Sequence, residues 1–271
     1  MNINTRTSLY GVFGNPVSHS LSPAMHNAAF RQVGHDGVYL AFEIREIEAG
    51  ITAVRALNIR GVSVTIPHKI SIMPLLDHLD PMARKIGAVN TVVNQDGVLT
   101  GYNSDGLGAV AALKEKTEIA GQSVAVIGAG GAARAIAFGV QAEGGNVTIV
   151  NRSADKGERL AKDLNADFRP LSEFSGEDVR ILINTTPLGM TPNVDATPVP
   201  ADKLEPGMVV MDIVYNPLET RLLREAGARG CTTVDGVAMF VYQGAFQSEL
   251  WTGQKAPVDV MKQMVLDALK K

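Results

Sequence analysis

Short apolar runs alternate with stretches of helical spacing along the whole chain. Residues 8–13, 37–42 and 61–66 read as strands, and residues 23–33 and 47–57 read as the helices between them. Two further apolar runs, 88–93 and 98–102, are joined across Asp96-Gly97, a dipeptide suited to a tight hairpin turn. After Gly121 the pattern restarts with a strand at 123–127, a glycine cluster and a helix over 132–142. Strands at 146–150, 180–184, 208–213 and 231–234 follow, with helices at 154–164 and 218–225. Two last helices, 239–251 and 258–269, end the chain. Alternation of this kind predicts an α/β protein with mostly parallel sheets.

Composition narrows this picture. The 271 residues are 45% hydrophobic and 20% charged, an ordinary globular balance. At that length one core tends to divide, so two domains are expected. The boundaries are placed at 1–117 for an N-terminal α/β domain, 118–237 for a nucleotide-binding domain, and 238–271 for helices returning to the first. A formal charge of −3 makes no electrostatic case for nucleic acid or an anionic membrane. No apolar run approaches the roughly 20 residues that span a bilayer. Residues 1–7 lack the basic start and apolar stretch of a signal peptide, and Cys231 is the only cysteine. A cytoplasmic protein with a small-molecule partner is expected, as a monomer or a homodimer, with Cys231 a buried, inert thiol.

The run Gly128-Ala129-Gly130-Gly131-Ala132-Ala133 places G-x-G-x-x-A directly after a strand and at a helix start. That context separates it from a chance glycine pattern. Gly128 permits the tight turn, Gly130 lets backbone approach a pyrophosphate, and Ala133 allows close helix packing. The anion would sit on the helix N-terminus. An NAD site usually carries an acidic residue at the tip of the second strand. Here the tip reads Asn151-Arg152-Ser153, with Lys156 beyond it. Arg152 can pair with a 2′-phosphate, and Ser153 and Lys156 can add a hydroxyl and a second charge. The expected cofactor is therefore NADP(H), in a Rossmann-type domain. No cluster has metal-ligand spacing, so no metal is expected.

Four further segments carry polar residues in unusual company: Asn15 to Asn27, Val64 to Lys69, Gly87 to Val92 and Gly101 to Gly106. Together with the glycine turn, the run Asn184 to Met190 and the run Asp235 to Gln243, they resemble the shikimate dehydrogenase family in order along nearly the whole chain. The resemblance implies reduction of 3-dehydroshikimate to shikimate by NADPH in the pathway to the aromatic amino acids. It makes Lys69 and Asp105 the catalytic pair, and Ser18, Ser20, Thr65, Asn90, Tyr215 and Gln243 the substrate contacts beside them. It adds Thr186, Met190, Val214, Gly236 and Met239 as contacts of the nicotinamide half, though the apolar members could equally be core, as could Tyr215.

Each assignment has a chemical sense. Ser22 before Pro23 reads as a helix N-cap, which leaves Ser18 and Ser20 to meet the substrate carboxylate. Lys69 follows a strand end, where α/β ligands bind. A hydride reaching a ketone leaves negative charge on oxygen, which an ammonium can stabilise or protonate. A neighbouring carboxylate favours the charged amine and burial disfavours it, so proton donor and charged clamp both stay open for Lys69. His68, His19 and His26 are expected to be structural. Two positions depart from the family's usual residues: Ser104 stands where threonine is common and Lys156 where arginine is common. Alternatives are a quinate/shikimate dehydrogenase with dual or quinate preference, of which the arginine tip argues against the NAD-using kind alone, and a silent NADPH-binding regulator, against which retention of Lys69 and Asp105 argues. Closure of the two domains over their ligands is also expected, since hydride transfer benefits from exclusion of water.

Overall fold

The computed structural model describes residues 3–270. In chain order, the first unit carries β1 (Ser8–Gly14), α1 (Ser22–Val33), β2 (Gly37–Glu43), α2 (Ile47–Ala56), β3 (Gly61–Val64), β4 (His78–Leu79), α3 (Pro81–Ile86), β5 (Thr91–Gln95) and β6 (Val98–Tyr102). It forms a six-stranded sheet in the order β2-β1-β3-β5-β6-β4. β1 pairs parallel with β2 and β3, and β4 with β6, whereas β5 is antiparallel to both its neighbours. The hairpin at Asp96-Gly97 forces that reversal, and both turn residues take positive φ.

β1 is buried on both faces, which explains its nearly continuous apolar run. Tyr10 and Val12 pack with Phe30 and Tyr39. On the opposite face Phe13 joins Ile51, Val54 and Ile72. Helix α1 starts one residue earlier than its serine suggests. Leu21 occupies the N-cap with no side-chain cap, Ser22 is already helical, and Ser20 Oγ accepts the Ser22 N–H at 3.3 Å.

The second unit continues with α4 (Asp105–Lys114), β7 (Ser123–Ile127), α5 (Gly131–Ala142), β8 (Asn146–Asn151), α6 (Ala154–Leu164), β9 (Asp167–Pro170), β10 (Ile181–Asn184), β11 (Val209–Asp212), α7 (Arg221–Ala228), β12 (Thr232–Val234) and the first turns of α8 (Gly236–Thr252). Its sheet is all parallel, in the order β12-β11-β10-β7-β8-β9. Val124 and Val126 of β7 face a core with Ile136, Val140 and Leu160, while Ala125 and Ile127 face Leu182, Leu222 and Leu223. From Gln243 onward α8 groups with the first unit, together with α9 (Val258–Leu269). There the Trp251 indole donates to Val92 O at 3.0 Å.

The compact units divide at Ser104/Asp105. Helix α4 therefore groups with the second unit, whereas its residues fall inside the expected first domain, 1–117. The reason is backbone contact between helices: a Cβ on Gly139 of α5 would stand 3.0–3.2 Å from the carbonyl and Cα atoms of Gly106 in α4. Gly139→Val is expected to cost about 1–3 kcal/mol through this overpacking, although valine is otherwise the better helix residue. The check is a thermal midpoint, expected several degrees lower; an unchanged midpoint would show that the contact is slack.

Candidate active site

Most of the predicted substrate residues converge on one edge of the first sheet. β1, β3 and β6 end at this edge. β5 begins there because it runs the other way, and its first residue, Thr91, faces Ser63 and Tyr102 in register. The loops after β1 and β3 are zipped together, Asn15 N–H to Ile66 O at 3.0 Å and Thr65 N–H to Phe13 O at 2.9 Å. Ser18 is exposed and Ser20 half-buried on the first loop, and Thr65 and Lys69 are half-buried on the second. The Lys69 carbonyl accepts from Val89 N–H at 2.8 Å, which ties that loop to the residues leading into Asn90.

Asn90 is buried between the ends of β3 and β6. Its carbonyl accepts from Val64 N–H at 2.8 Å and its N–H donates to Tyr102 O at 3.0 Å. Its Oδ1 accepts from Ser104 N–H at 2.8 Å and from the Thr91 hydroxyl at 2.7 Å. Ser104 Oγ also reaches Gln243 Oε1 at 3.5 Å. Gln243 is buried at the point where α8 meets this cluster. Asn103 Nδ2 donates to Ala88 O at 3.0 Å, steadying the chain just before Asp105, which is buried as the first residue of α4.

Two of the three histidines expected to be structural, His68 and His26, are buried and packed into the fold, whereas His19 is exposed. His68 is buried and its Nε2–H donates to Ile44 O at 2.6 Å, so its ring braces the loop that carries Lys69. His26 is fully buried and stacks on Tyr39 with ring centroids 4.5 Å apart; burial lowers its pKa to about 3, which keeps it neutral.

In the second unit the residues predicted to meet the nucleotide lie at the carboxyl ends of the parallel strands, where ligands of open α/β sheets bind. Gly128 follows β7 with φ +118°, and an added Cβ would strike the Thr185 hydroxyl. Gly130 is the N-cap of α5 with no side-chain cap, so the first N–H groups of the helix lack intrahelical partners. A Cβ at Gly130 or Gly131 would meet no protein atom, so the approach to these donors is open. Ala129 and Ala132 are half-buried beside them. At the tip of β8, Asn151 Nδ2 donates to Ser153 O at 2.9 Å and holds the turn. Arg152, Ser153 and Lys156 project from that turn and are exposed. Glycine cradle, bare helix terminus and exposed cations together fit the pyrophosphate and 2′-phosphate of NADP.

After β10 and β11 a buried polar knot shapes the same edge. Asn184 Nδ2 donates to Asp212 Oδ1 at 2.9 Å, and the Thr220 hydroxyl donates to Asp212 Oδ2 at 2.7 Å. Val214 N–H adds a bond to Asp212 Oδ1 at 3.1 Å. Burial raises the pKa of Asp212 against these donors. The other side of Asn184 accepts the Thr186 hydroxyl at 2.7 Å and so aims Thr186. Sequence reading names Thr186 and Val214 but misses Asn184, Asp212 and Thr220. The signal for Asn184 and Asp212 was a polar residue closing each of two apolar strands, and for Thr220 a capping residue ahead of α7.

Gly236 sits against the Ile213 and Val214 carbonyls, with no room for a side chain. Met239 is buried in the core under β7 and Met190 is exposed. Tyr215 packs on Phe240 at 4.9 Å, and burial raises its phenol pKa. Cys231 is only partly buried, contrary to expectation; its thiol meets Glu205 O at 3.3 Å and burial raises its pKa. A cavity of about 610 Å³ lies at the opposite, amino end of β7 and β8 and includes none of the predicted site residues. Among the described residues no group of His, Cys, Asp and Glu could hold a metal, and no helix is long and apolar enough to cross a membrane.

An all-parallel sheet with a glycine cradle at its carboxyl edge and a cationic strand tip, in a chain that also carries a mixed α/β unit, defines a nicotinamide-dinucleotide-dependent dehydrogenase. Residues 12–92 match the shikimate dehydrogenase substrate binding domain, 110–187 the shikimate/quinate 5-dehydrogenase family, and 236–266 the shikimate 5′-dehydrogenase C-terminal domain. A shikimate dehydrogenase (NADP(+)) of Methanosarcina barkeri is 50% identical, the alignment covering 97% of this chain and 99% of the relative. One from Geobacillus kaustophilus is 47% identical with the same coverage. The crystal structure of the Thermus thermophilus shikimate 5-dehydrogenase in complex with NADP(H) and shikimate is 37% identical, covers 97% of this chain and 100% of that one, and superposes with a TM-score of 0.92. The chain belongs to the shikimate dehydrogenase family.

Proposed function

We propose that this protein catalyses the reversible, NADPH-dependent reduction of 3-dehydroshikimate to shikimate, a step toward the aromatic amino acids, with the residues at the two sheet edges in the following roles. The observation that carries the site reading is the gathering of Thr65, Lys69, Asn90, Ser104 and Gln243 on the carboxyl edge of the first sheet, where an antiparallel strand start and parallel strand ends meet. NADPH supplies the hydride when bound. Gly128 to Ala132 would hold its pyrophosphate, Arg152, Ser153 and Lys156 its 2′-phosphate, and Thr186, Val214, Gly236 and Met239 the nicotinamide end. Lys69 meets the oxygen that gains negative charge, through a hydrogen bond and a proton at Nζ, and Asp105 engages the same hydroxyl. Ser18 and Ser20 donate to the carboxylate. Thr65, Asn90 and Gln243 read the ring hydroxyls, and a site built to bond hydroxyls rejects analogues lacking them by roughly 10⁴-fold. The membership of the family supports a cytoplasmic location.

The test is absorbance at 340 nm on the purified protein with shikimate or quinate, each paired with NADP or NAD. Rapid NADP reduction with shikimate is expected. Preference for quinate with NAD would overturn the substrate and cofactor reading together.

A further inference from the structure

A buried chain of hydrogen bonds runs from the interior of the first unit to Asn90. The Tyr39 hydroxyl lies 2.7 Å from Ser63 Oγ, and Ser63 Oγ lies 2.7 Å from Gln247 Oε1. Gln247 Nε2 lies 3.0 Å from Thr91 Oγ1 and 3.3 Å from the Asn90 carbonyl, and Thr91 Oγ1 lies 2.7 Å from Asn90 Oδ1. Tyr39, Ser63, Asn90, Thr91, Ser104 and Gln247 are all buried.

The direction of this chain is set on its Asn90 side by two backbone groups whose roles cannot change. The Asn90 carbonyl can only accept, so the Gln247 atom beside it must be the NH₂, and the Gln247 oxygen must face Ser63. Ser104 N–H can only donate, so the Asn90 atom 2.8 Å from it must be Oδ1. The single hydroxyl proton of Thr91 goes to the nearer acceptor, Asn90 Oδ1 at 2.7 Å against Ser104 Oγ at 3.4 Å: Gln247 donates to Thr91, and Thr91 donates to Asn90 Oδ1. Burial raises the Tyr39 pKa, which keeps that phenol a donor at the head of the chain. Every link points the same way, from Tyr39 through Ser63, Gln247 and Thr91 to Asn90.

We infer that Thr91, Gln247, Ser63 and Tyr39 are positioning residues that lock the Asn90 carboxamide with its oxygen inward and its NH₂ edge as the donor side, so that Asn90 reads a substrate oxygen as an acceptor. With Oδ1 held by Thr91 and the Ser104 N–H, a reversed amide would set its NH₂ against the Ser104 N–H, donor against donor; in the observed orientation Nδ2 also donates one hydrogen to Ser104 Oγ at 3.0 Å, so the substrate oxygen would take the other. This rests on the reading of Asn90 as a substrate contact. Nothing in that reading assigns a role to Gln247, which lies one helical turn beyond Gln243 on α8.

The experiment is steady-state kinetics with shikimate and NADP on the full chain, comparing wild type with Asn90→Ala, Thr91→Val, Thr91→Ser, Gln247→Met and the Thr91→Val/Gln247→Met double variant, with thermal midpoints recorded for each. Thr91→Val and Gln247→Met are each expected to raise the shikimate KM about tenfold, the scale of one lost buried hydrogen bond, and to leave the NADP KM within about twofold of wild type. Thr91→Ser keeps the hydroxyl and is expected to restore the shikimate KM. The double variant is expected to be no worse than either single one, because both cut one chain. If Asn90→Ala raises the shikimate KM while Thr91→Val and Gln247→Met do not, the relay is wrong and the site reading stands. Equal impairment by Thr91→Val and Thr91→Ser, or a parallel rise in the NADP KM, would also overturn it in favour of packing. An Asn90→Ala enzyme with wild-type kinetics would overturn the site reading and the relay with it.

Discussion

Lys69→Ala is expected to lower kcat by about 10²–10⁴-fold, the usual contribution of a positioned acid or base, while the NADP KM stays close to wild type. The separation follows from where the residue is anchored. Its loop is pinned by the Val89 bond to the Lys69 carbonyl and by His68 on Ile44 O, neither of which uses the lysine side chain. Alanine therefore removes the ammonium and leaves the backbone around it intact. The residues assigned to the nucleotide belong to the second unit, so cofactor affinity should not register the loss. Initial rates at 340 nm give kcat, and quenching of protein fluorescence by NADPH gives the binding constant. A variant within twofold of wild-type kcat would remove Lys69 from the chemistry.

The second large effect concerns cofactor choice. Arg152→Ala is expected to raise the NADP KM by about 10- to 100-fold, the range for losing charge-assisted hydrogen bonds to a phosphate, and to leave the NAD KM largely unchanged. Arg152 is exposed at the tip of β8, so its guanidinium is available to a ligand at the cost of little else. Lys156→Ala should have a smaller effect in the same direction, since an ammonium lacks the planar fork that grips two phosphate oxygens. Michaelis constants for both cofactors at saturating shikimate decide the matter. If NADP and NAD weaken together, Arg152 serves the adenine ring, which both cofactors share, and does not read the 2′-phosphate.

The legible parts of the fold were those where one residue type answers one physical demand. β7 and its glycine turn were readable because only a residue without Cβ clears Thr185 at Gly128, and the apolar runs of β1, β10 and β11 were readable because both their faces are covered. Helix α4 was not readable. Its sequence begins Asp-Gly-Leu-Gly and has almost no polar face, because seven of its ten residues are buried, and two of its early residues are the glycines that usually mark a loop. The short α3 and β4 carry too few residues for either periodicity to register, and β9, Asp-Phe-Arg-Pro, ends in a residue that strands usually avoid.

The site divided along similar lines. Residues in contiguous motifs, such as Asn90 and Lys69, could be named from the chain. Gln247, Ser63 and Tyr39 could not, because hydrogen bonds spanning 24 and 184 positions in the sequence have no local pattern. The repeat of glutamine at helical spacing in α8, Gln243 and then Gln247, was the one available hint.

The reversed strand β5 also determines where this protein can be handled. Its hairpin turn, Asp96-Gly97, stands at the far end of the sheet from Asn90, is exposed, and is steadied locally by Asn94 Oδ1 on Gly97 N–H at 2.8 Å and by the Arg60–Asp96 pair at 3.1 Å. Lengthening a loop costs little, about 0.6 kcal/mol per doubling. A fluorophore, affinity tag or immobilisation linker inserted there would hang from the strand by the end opposite Asn90, leaving the residues proposed to carry the chemistry unlabelled and both chain termini unmodified.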